Sequence, residues 1–367
     1  MKITILGGGN GAYAAAADLS EKGHEVTLWR RSRERFSTLL DTKTILLEDI
    51  QGTRPVRIKN VTTDPKAAVQ GAECIVIPLP ATAQRDVAEP VAPCLETGQV
   101  VYLPPGTFGT YLFLKEMKAC GNTAQVSFAE TGTLPYLARK HGEDRVTISV
   151  RATRLPTGVY PSRTTGPALQ KLSRVYPAIE PLKDVLDGAL MNAGPIIHPP
   201  LILMNAGPLE HFDVWDIHNE GTQPSIRRVT NALDRERIRL RQALGYGAPH
   251  FPLADHYDDN RDEWMYGNSS HERLTGSGNW REHIDLTTHR YMREDVATGL
   301  VFYATLGDWA GVQMPVSNGL IAVASAVVGE DLMAGPRSWK ALGLSNLSAQ
   351  QLSDFLENGF ILPVNEA

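Results

Sequence analysis

The first residues whose types and spacing could do chemistry are Gly7-Gly8-Gly9-Asn10-Gly11-Ala12, which fit the pattern G-x-G-x-x-A. Gly7 permits a tight turn, Gly9 lets a phosphate approach the backbone, and the small Ala12 allows close packing of helix on strand. A helix opening near Gly11 aims its free N–H groups and positive dipole end at that phosphate. The pattern is weak alone. Here it follows an apolar run, opens a helix and leads to a second apolar run within about 30 residues, as a dinucleotide turn requires. Gly7, Gly9, Asn10, Gly11 and Ala12 are therefore expected to hold a pyrophosphate. The bland alternative is a glycine-rich structural turn.

The second apolar run ends in Trp29-Arg30-Arg31-Ser32-Arg33. An NAD site commonly has an acidic residue here, accepting bonds from the ribose hydroxyls. Guanidinium groups instead suit the 2′-phosphate of NADP, so NADP(H) is favoured with NAD(H) still open, and Arg30 is placed ahead of Arg31. A solvated basic face is the alternative. Pro78-Leu79-Pro80 and Pro104-Pro105-Gly106-Thr107 each follow a further apolar run, at the expected carboxyl edge of a sheet. Ligands bind at that edge, so Pro78, Pro80, Gly106 and Thr107 are candidate cofactor contacts. Rigid loop closure explains the prolines equally well.

In the second half, His198-Pro199-Pro200 precedes the apolar run Leu201 to Met204. Proline suits a helix's first turn, so His198 is expected at a helix N-terminus, where the dipole disfavours imidazolium. Such a histidine can serve as a general base or proton donor, or can be a hydrogen-bonded structural residue. Farther on, the charges of His289-Arg290-Tyr291-Met292-Arg293-Glu294-Asp295 abut the apolar residues up to Val301. Charges so close to a core need partners. An arginine there could clamp a carboxylate while an aspartate orients a histidine, or the two could form a structural pair.

These groups need a scaffold. Lys2 to Leu6, His24 to Trp29, Cys74 to Ile77, Val100 to Leu103, Val126 to Phe128 and Val146 to Val150 read as strands, with an alanine-rich helix from Ala12 to Lys22. Strands alternating with helices point to an α/β fold, a Rossmann-like doubly wound parallel sheet, over residues 1–187. Residues 188–367 read as mostly helical: Ser225 to Leu244 shows one apolar face, and Ser348 with Gln351 forms a capping box. Asp255 to Thr288 is polar and loop-like. Pro315 to Val328 is apolar on nearly all sides, which suits a buried core helix or a homodimer interface.

Composition narrows the partners. The 367 residues include 36 Lys and Arg against 41 Asp and Glu, a net charge of −5. There is no global basic field for nucleic acid or anionic membrane, and Arg30 to Arg35 is too short a basic stretch to change that. Three cysteines without CxxC spacing indicate neither a disulfide framework nor structural zinc, and a cytoplasmic setting fits best. The first twenty residues briefly imitate a signal peptide, but the glycines break the apolar region. No run is long enough to span a membrane. No metal site is expected: His271-Glu272 lacks a second histidine, His211 and His218 lack further ligands, and Asp255 to Asp259 reads as a polar loop.

Taken together, the glycine turn, His198-Pro199 with Asn205-Ala206, Glu220 to Ser225, Asp234-Arg235-Glu236-Arg237-Ile238, and the run from Arg290 to Val301 resemble the NAD(P)-dependent octopine/nopaline (opine) dehydrogenase family. The likeness spans nearly the whole chain. It implies a dinucleotide-binding domain plus an α-helical domain, and reductive joining of an amino acid or amine to a 2-oxo acid through an imine. It further implies that His198 is the acid/base, Asp295 its partner, Arg290 the substrate-binding arginine, and Asn192 a residue orienting substrate or nicotinamide. Some members carry an acidic residue where this chain has Arg30, so the NADP preference rests on charge rather than on resemblance. Two other readings stand beside this one: an alcohol-forming 2-oxo or 3-phospho acid dehydrogenase, and a dinucleotide-sensing protein without turnover.

Overall fold

Apolar runs ending in glycine or proline become the strands that carry the first site. The computed structural model describes residues 1–359 apart from 35, 259, 262, 263, 268, 269, 277 and 279. Arg35 and Asp259, named above, thus lie outside the described residues. Contacts divide the chain into two units, Met1–Ala189 with Leu356–Gly359, and Leu190–Phe355. Among the described residues the strands, all in the first unit, are β1 (Lys2–Leu6), β2 (Glu25–Trp29), β3 (Thr44–Asp49), β4 (Gly52–Arg57), β5 (Asn60–Thr62), β6 (Cys74–Val76), β7 (Val100–Leu103), β8 (Ser127–Thr131), β9 (Tyr136–His141), β10 (Arg145–Arg151), β11 (Leu155–Tyr160) and β12 (Ile179–Pro181).

Eight of them form one sheet in the order β12-β11-β8-β7-β6-β1-β2-β5. Neighbours are parallel except for the antiparallel pair β8 and β11. The central strands β1, β6 and β7 are buried almost throughout, so their sequences are continuous apolar runs rather than alternating ones. From β1 the chain passes to β2 on one side and later to β6 on the other. That reversal opens a crevice at the carboxyl ends of β1 and β6, where the glycine turn and Pro78 lie.

One expectation is corrected. Val146 to Val150 does not continue the parallel series; it lies in β10, within a separate sheet ordered β4-β3-β10-β9. Its residues alternate, with Val146, Ile148 and Val150 buried between more exposed neighbours. That alternation marks a strand with one covered face, unlike the runs of the main sheet. This second sheet is tied to the helix Asn10–Glu21 by buried Asp18, which accepts bonds from Lys22 (2.7 Å), Arg151 (2.8 Å) and the Tyr136 hydroxyl (2.9 Å). Burial would raise the Asp18 carboxyl, but the bonds from Lys22 and Arg151 outweigh it and hold it below its ordinary value.

The second unit is helical, as expected. Its helices include Gly194–Leu203, Pro224–Ala243, Val301–Trp309 and Pro315–Val328, with π-helical turns over Tyr291–Leu300. The run Asp234 to Arg237 has a structural explanation. Arg237 donates to Asp234 (2.7 Å) and to the carbonyls of Leu190, His250 and Phe251, while Asp234 also accepts the Leu253 amide. Glu236 accepts the amides of Val316 (2.7 Å) and Ser317 (2.9 Å), placing its carboxylate at the start of Pro315–Val328. That helix buries only Ser317, Ile321 and Ala324, and Val323 is 54% exposed, so a core location holds for one face alone. The Ser348/Gln351 capping box forms in both directions, at 2.8 and 3.2 Å. No described helix is long and apolar enough to cross a membrane.

Candidate active site

In the first unit, β1 delivers the chain into Gly7, whose φ of +142° favours glycine. A side chain on Gly7 would meet Leu79, and one on Gly11 would meet Pro78 and Leu134. Gly9 differs: it precedes the helix Asn10–Glu21, is exposed, has open space where a Cβ would stand, and brings no side chain to cap the first turn. Uncapped N–H groups facing open space fit a pyrophosphate. Ala12 is fully buried against the sheet, as the motif requires. The side-chain oxygen of Asn10 accepts the Lys140 amide at 3.0 Å, so this residue is anchored to β9.

The two arginines part company. Arg30 packs over Gly8, its Cδ, Nε and Cζ within 2.8–3.3 Å of where a Cβ would sit. Arg31 is 61% exposed and pairs with Asp86 at 2.8 Å. Pro78 is buried behind the glycine turn, whereas Pro80 is exposed. Gly106 and Thr107 are buried in a turn secured by two side chains that sequence reasoning did not single out. Glu130 accepts the amides of Phe108 (2.8 Å) and Thr110 (2.7 Å), and Gln84 donates to the Gly106 carbonyl (2.8 Å). The helix start at Thr110 is thus served by the protein's own carboxylate.

In the second unit, His198 and Asp295 meet: Nδ1 lies 2.7 Å from Oδ2. His198 occupies the fifth position of Gly194–Leu203 rather than its N-terminus, which corrects the expectation. Small residues allow the approach. A side chain at Gly194 would collide with Asp295, and one at Gly299 with Pro195. Asn192 is buried, its side-chain oxygen accepts the Gly194 amide (3.0 Å), and its carbonyl accepts the Tyr303 hydroxyl (2.9 Å). It therefore shapes the turn that leads to His198. Arg290 is exposed and lies 4.7 Å over the Tyr291 ring. Tyr291 stacks on His198 at 3.9 Å, and His218 and His289 approach these rings edge-on. In the sequence His218 reads only as part of an incomplete metal-ligand pair and Tyr291 only as part of a charged run, because ring contacts leave no spacing signal.

Burial is the main reason His198 is held well below the ordinary histidine value, with the Arg290 and His289 charges adding to it; the helix dipole is not the cause. Burial likewise pushes Asp295 up to about 7, against the lowering pull of Arg290. Both shifts favour the neutral form of each group, so burial disfavours an imidazolium–carboxylate ion pair here, and with Nδ1 bonded to Asp295 it is Nε2 that is left for exchange.

Their effects on stability oppose each other. A lowered histidine makes stability rise with pH up to its unfolded value of 6.5, whereas a raised aspartate makes stability fall as pH climbs from 3.8 to about 7. Relative to the unaltered protein, His198→Gln should lose melting temperature as pH rises through that window, and Asp295→Asn should gain it. Thermal melts at a series of pH values test this; parallel curves for the two variants would contradict the opposed shifts.

Comparison with known proteins agrees with this two-part construction. A sequence model described as NAD/NADP octopine/nopaline dehydrogenase, alpha-helical domain, matches residues 181–328. Another, the N-terminus of NAD-dependent glycerol-3-phosphate dehydrogenase, matches residues 2–106. The opine dehydrogenase of Arthrobacter sp. (strain 1C) is 28% identical over 362 residues, covering 96% of this chain and 98% of that protein. An octopine dehydrogenase solved with NADH and agmatine shares the fold, with a TM-score of 0.72, 18% identity and coverage of 97% of this chain and 98% of the other. A yersinopine dehydrogenase with NADP+ bound does so at 0.65 and 16% identity, covering 98% of each chain. A nucleotide-binding first unit, a matching helical second unit and a relative aligned from end to end make this chain a member of the opine dehydrogenase family, NAD(P)-dependent oxidoreductases acting on CH–NH donors.

Proposed function

We propose that the protein joins the amino group of an amino acid or amine to a 2-oxo acid, with NADP(H) as the preferred cofactor and NAD(H) accepted. The observation that carries this reading is the His198–Asp295 bond beside Arg290 in the helical unit. The glycine turn, with Asn10, Gly11 and Ala12 opening its helix, would hold the dinucleotide. Arg30, ahead of Arg31, would meet the 2′-phosphate; Pro78, Pro80, Gly106 and Thr107 would line the same edge of the sheet. When bound, the reduced nicotinamide supplies hydride to the imine carbon.

The chain's own groups handle the rest. Arg290 pairs with the oxo acid carboxylate and fixes the neighbouring carbon. A neutral amine attacks that carbon, and water leaves to give the imine. His198 Nε2 takes a proton from the attacking nitrogen and delivers it to the oxygen. A second proton, drawn from solvent, lets that oxygen leave as water while the imine nitrogen keeps its remaining hydrogen, so that hydride addition gives the neutral secondary amine. Asp295 holds Nδ1 in the donor tautomer and stabilises the imidazolium as it forms. Tyr291 fixes the plane of the ring by stacking, and Asn192 sets the start of the helix that carries it.

The test is a screen of NAD(P)H oxidation that crosses pyruvate, glyoxylate and 2-oxoglutarate with amino acids and simple amines. Oxidation should require both partners and yield a secondary amine. Oxidation by the oxo acid alone, with an alcohol as product, would replace this reading with that of an alcohol-forming dehydrogenase. Dinucleotide binding without turnover of any pair would leave a sensor.

A further inference from the structure

The glycine turn has a second cationic neighbour, supplied by the smaller sheet. Lys140 lies on β9, far along the chain, yet its Nζ is 3.3 Å from the Gly8 carbonyl and 4.0 Å over the ring of Tyr13. Its own amide is bonded to Asn10, and the neighbouring strand residues Tyr136 and Arg151 are bonded to Asp18 on the same helix. The strand that carries the ammonium group is thereby tied to the helix behind the glycine turn. Burial pushes the Tyr13 phenol up to about 12, so that ring stays neutral and offers its π face to the cation. Arg30 covers the same glycine from the end of β2.

Two cations from two sheets thus converge on Gly8, next to the uncapped helix start. The Lys140 ammonium, a full positive charge, donates to the Gly8 carbonyl and so sits at the turn itself. A phosphate monoester carries nearly two negative charges, against one on each phosphate of a pyrophosphate, and so matches a pair of cations. A ribose hydroxyl offers no such charge. We infer that Lys140 is a specificity-determining residue that acts with Arg30 on the 2′-phosphate of NADP(H). The inference rests on the dinucleotide reading above and adds the residue that completes its charge.

The experiment measures Kd for NADPH and for NADH by nicotinamide fluorescence, in the unaltered protein and in Lys140→Met, Lys140→Gln and Lys140→Arg. Methionine keeps the stem over Tyr13, and glutamine provides a second neutral variant if methionine disturbs folding. Losing a charge-assisted bond to phosphate should weaken NADPH by about tenfold or more, with NADH changing by less than about threefold and Lys140→Arg retaining most of the affinity. Equal weakening of both cofactors would reduce Lys140 to a support for the turn and overturn the inference. Unchanged NADPH affinity would overturn it as well. An unaltered protein that binds neither dinucleotide would remove the underlying reading along with it.

Discussion

Replacing His198 with alanine should lower kcat by about a hundred- to ten-thousandfold, the range set by loss of a general acid/base. Dinucleotide affinity should stay within about twofold, because the glycine turn and Arg30 belong to the other unit. Steady-state turnover and cofactor fluorescence, measured on the same preparation, separate the two effects. The variant leaves Asp295 buried without its partner, so melting temperature must be followed in parallel. Asp295→Asn should also be severely impaired, since the amide no longer fixes the tautomer that frees Nε2. Combining the two changes should cost little more than the worse one alone, as for any pair acting as a unit. Turnover like that of the unaltered protein in His198→Ala would remove the histidine from the mechanism.

The second large effect is expected at Arg290. The residue is exposed overall while its guanidinium is braced against the Tyr291 ring, an arrangement suited to presenting a planar fork to an incoming carboxylate. Arg290→Gln should reduce kcat/KM for the oxo acid by on the order of a hundredfold, the loss of a charge-assisted bidentate contact. Arg290→Lys should recover only part, because an ammonium group neither stacks in the same way nor binds in two-pronged fashion. The discriminating substrate is methylglyoxal, which resembles pyruvate without the carboxylate. The unaltered enzyme should strongly prefer pyruvate, and Arg290→Gln should nearly abolish that preference. An undiminished preference would assign carboxylate capture to another residue. Because Arg290 also disfavours the His198 imidazolium, the acidic limb of the pH–rate profile should move to higher pH in Arg290→Gln.

The features legible in the sequence are those governed by neighbours in the chain. The turn from Gly7 to Ala12, the helix behind it and the Ser348/Gln351 box follow from rules acting within a few residues. Buried parallel strands announced themselves as apolar runs because both faces are covered. The same rules misassigned Val146 to Val150, whose alternation belongs to another sheet, while for Pro315 to Val328 the core reading holds on one face only. A strand's pattern reports how many faces are covered, not which sheet covers them. A helix's apolarity likewise permits burial without requiring it.

By itself, then, the sequence determined a dinucleotide turn with a cationic edge, a helical second half and a set of residues able to move protons and hold a carboxylate. Only the tertiary structure decided which of them meet. His198 finds Asp295 across 97 positions because Gly194 and Gly299 let two helices close, and Lys140 reaches Gly8 across 132 because Asp18 draws the second sheet onto the first helix. Burial then does what composition cannot: it shifts both members of the His198–Asp295 pair towards neutrality and so disfavours their ion pair. Local spacing fixes turns and caps through short-range sterics. Proton affinity and charge pairing depend on what packing brings near and what water it excludes.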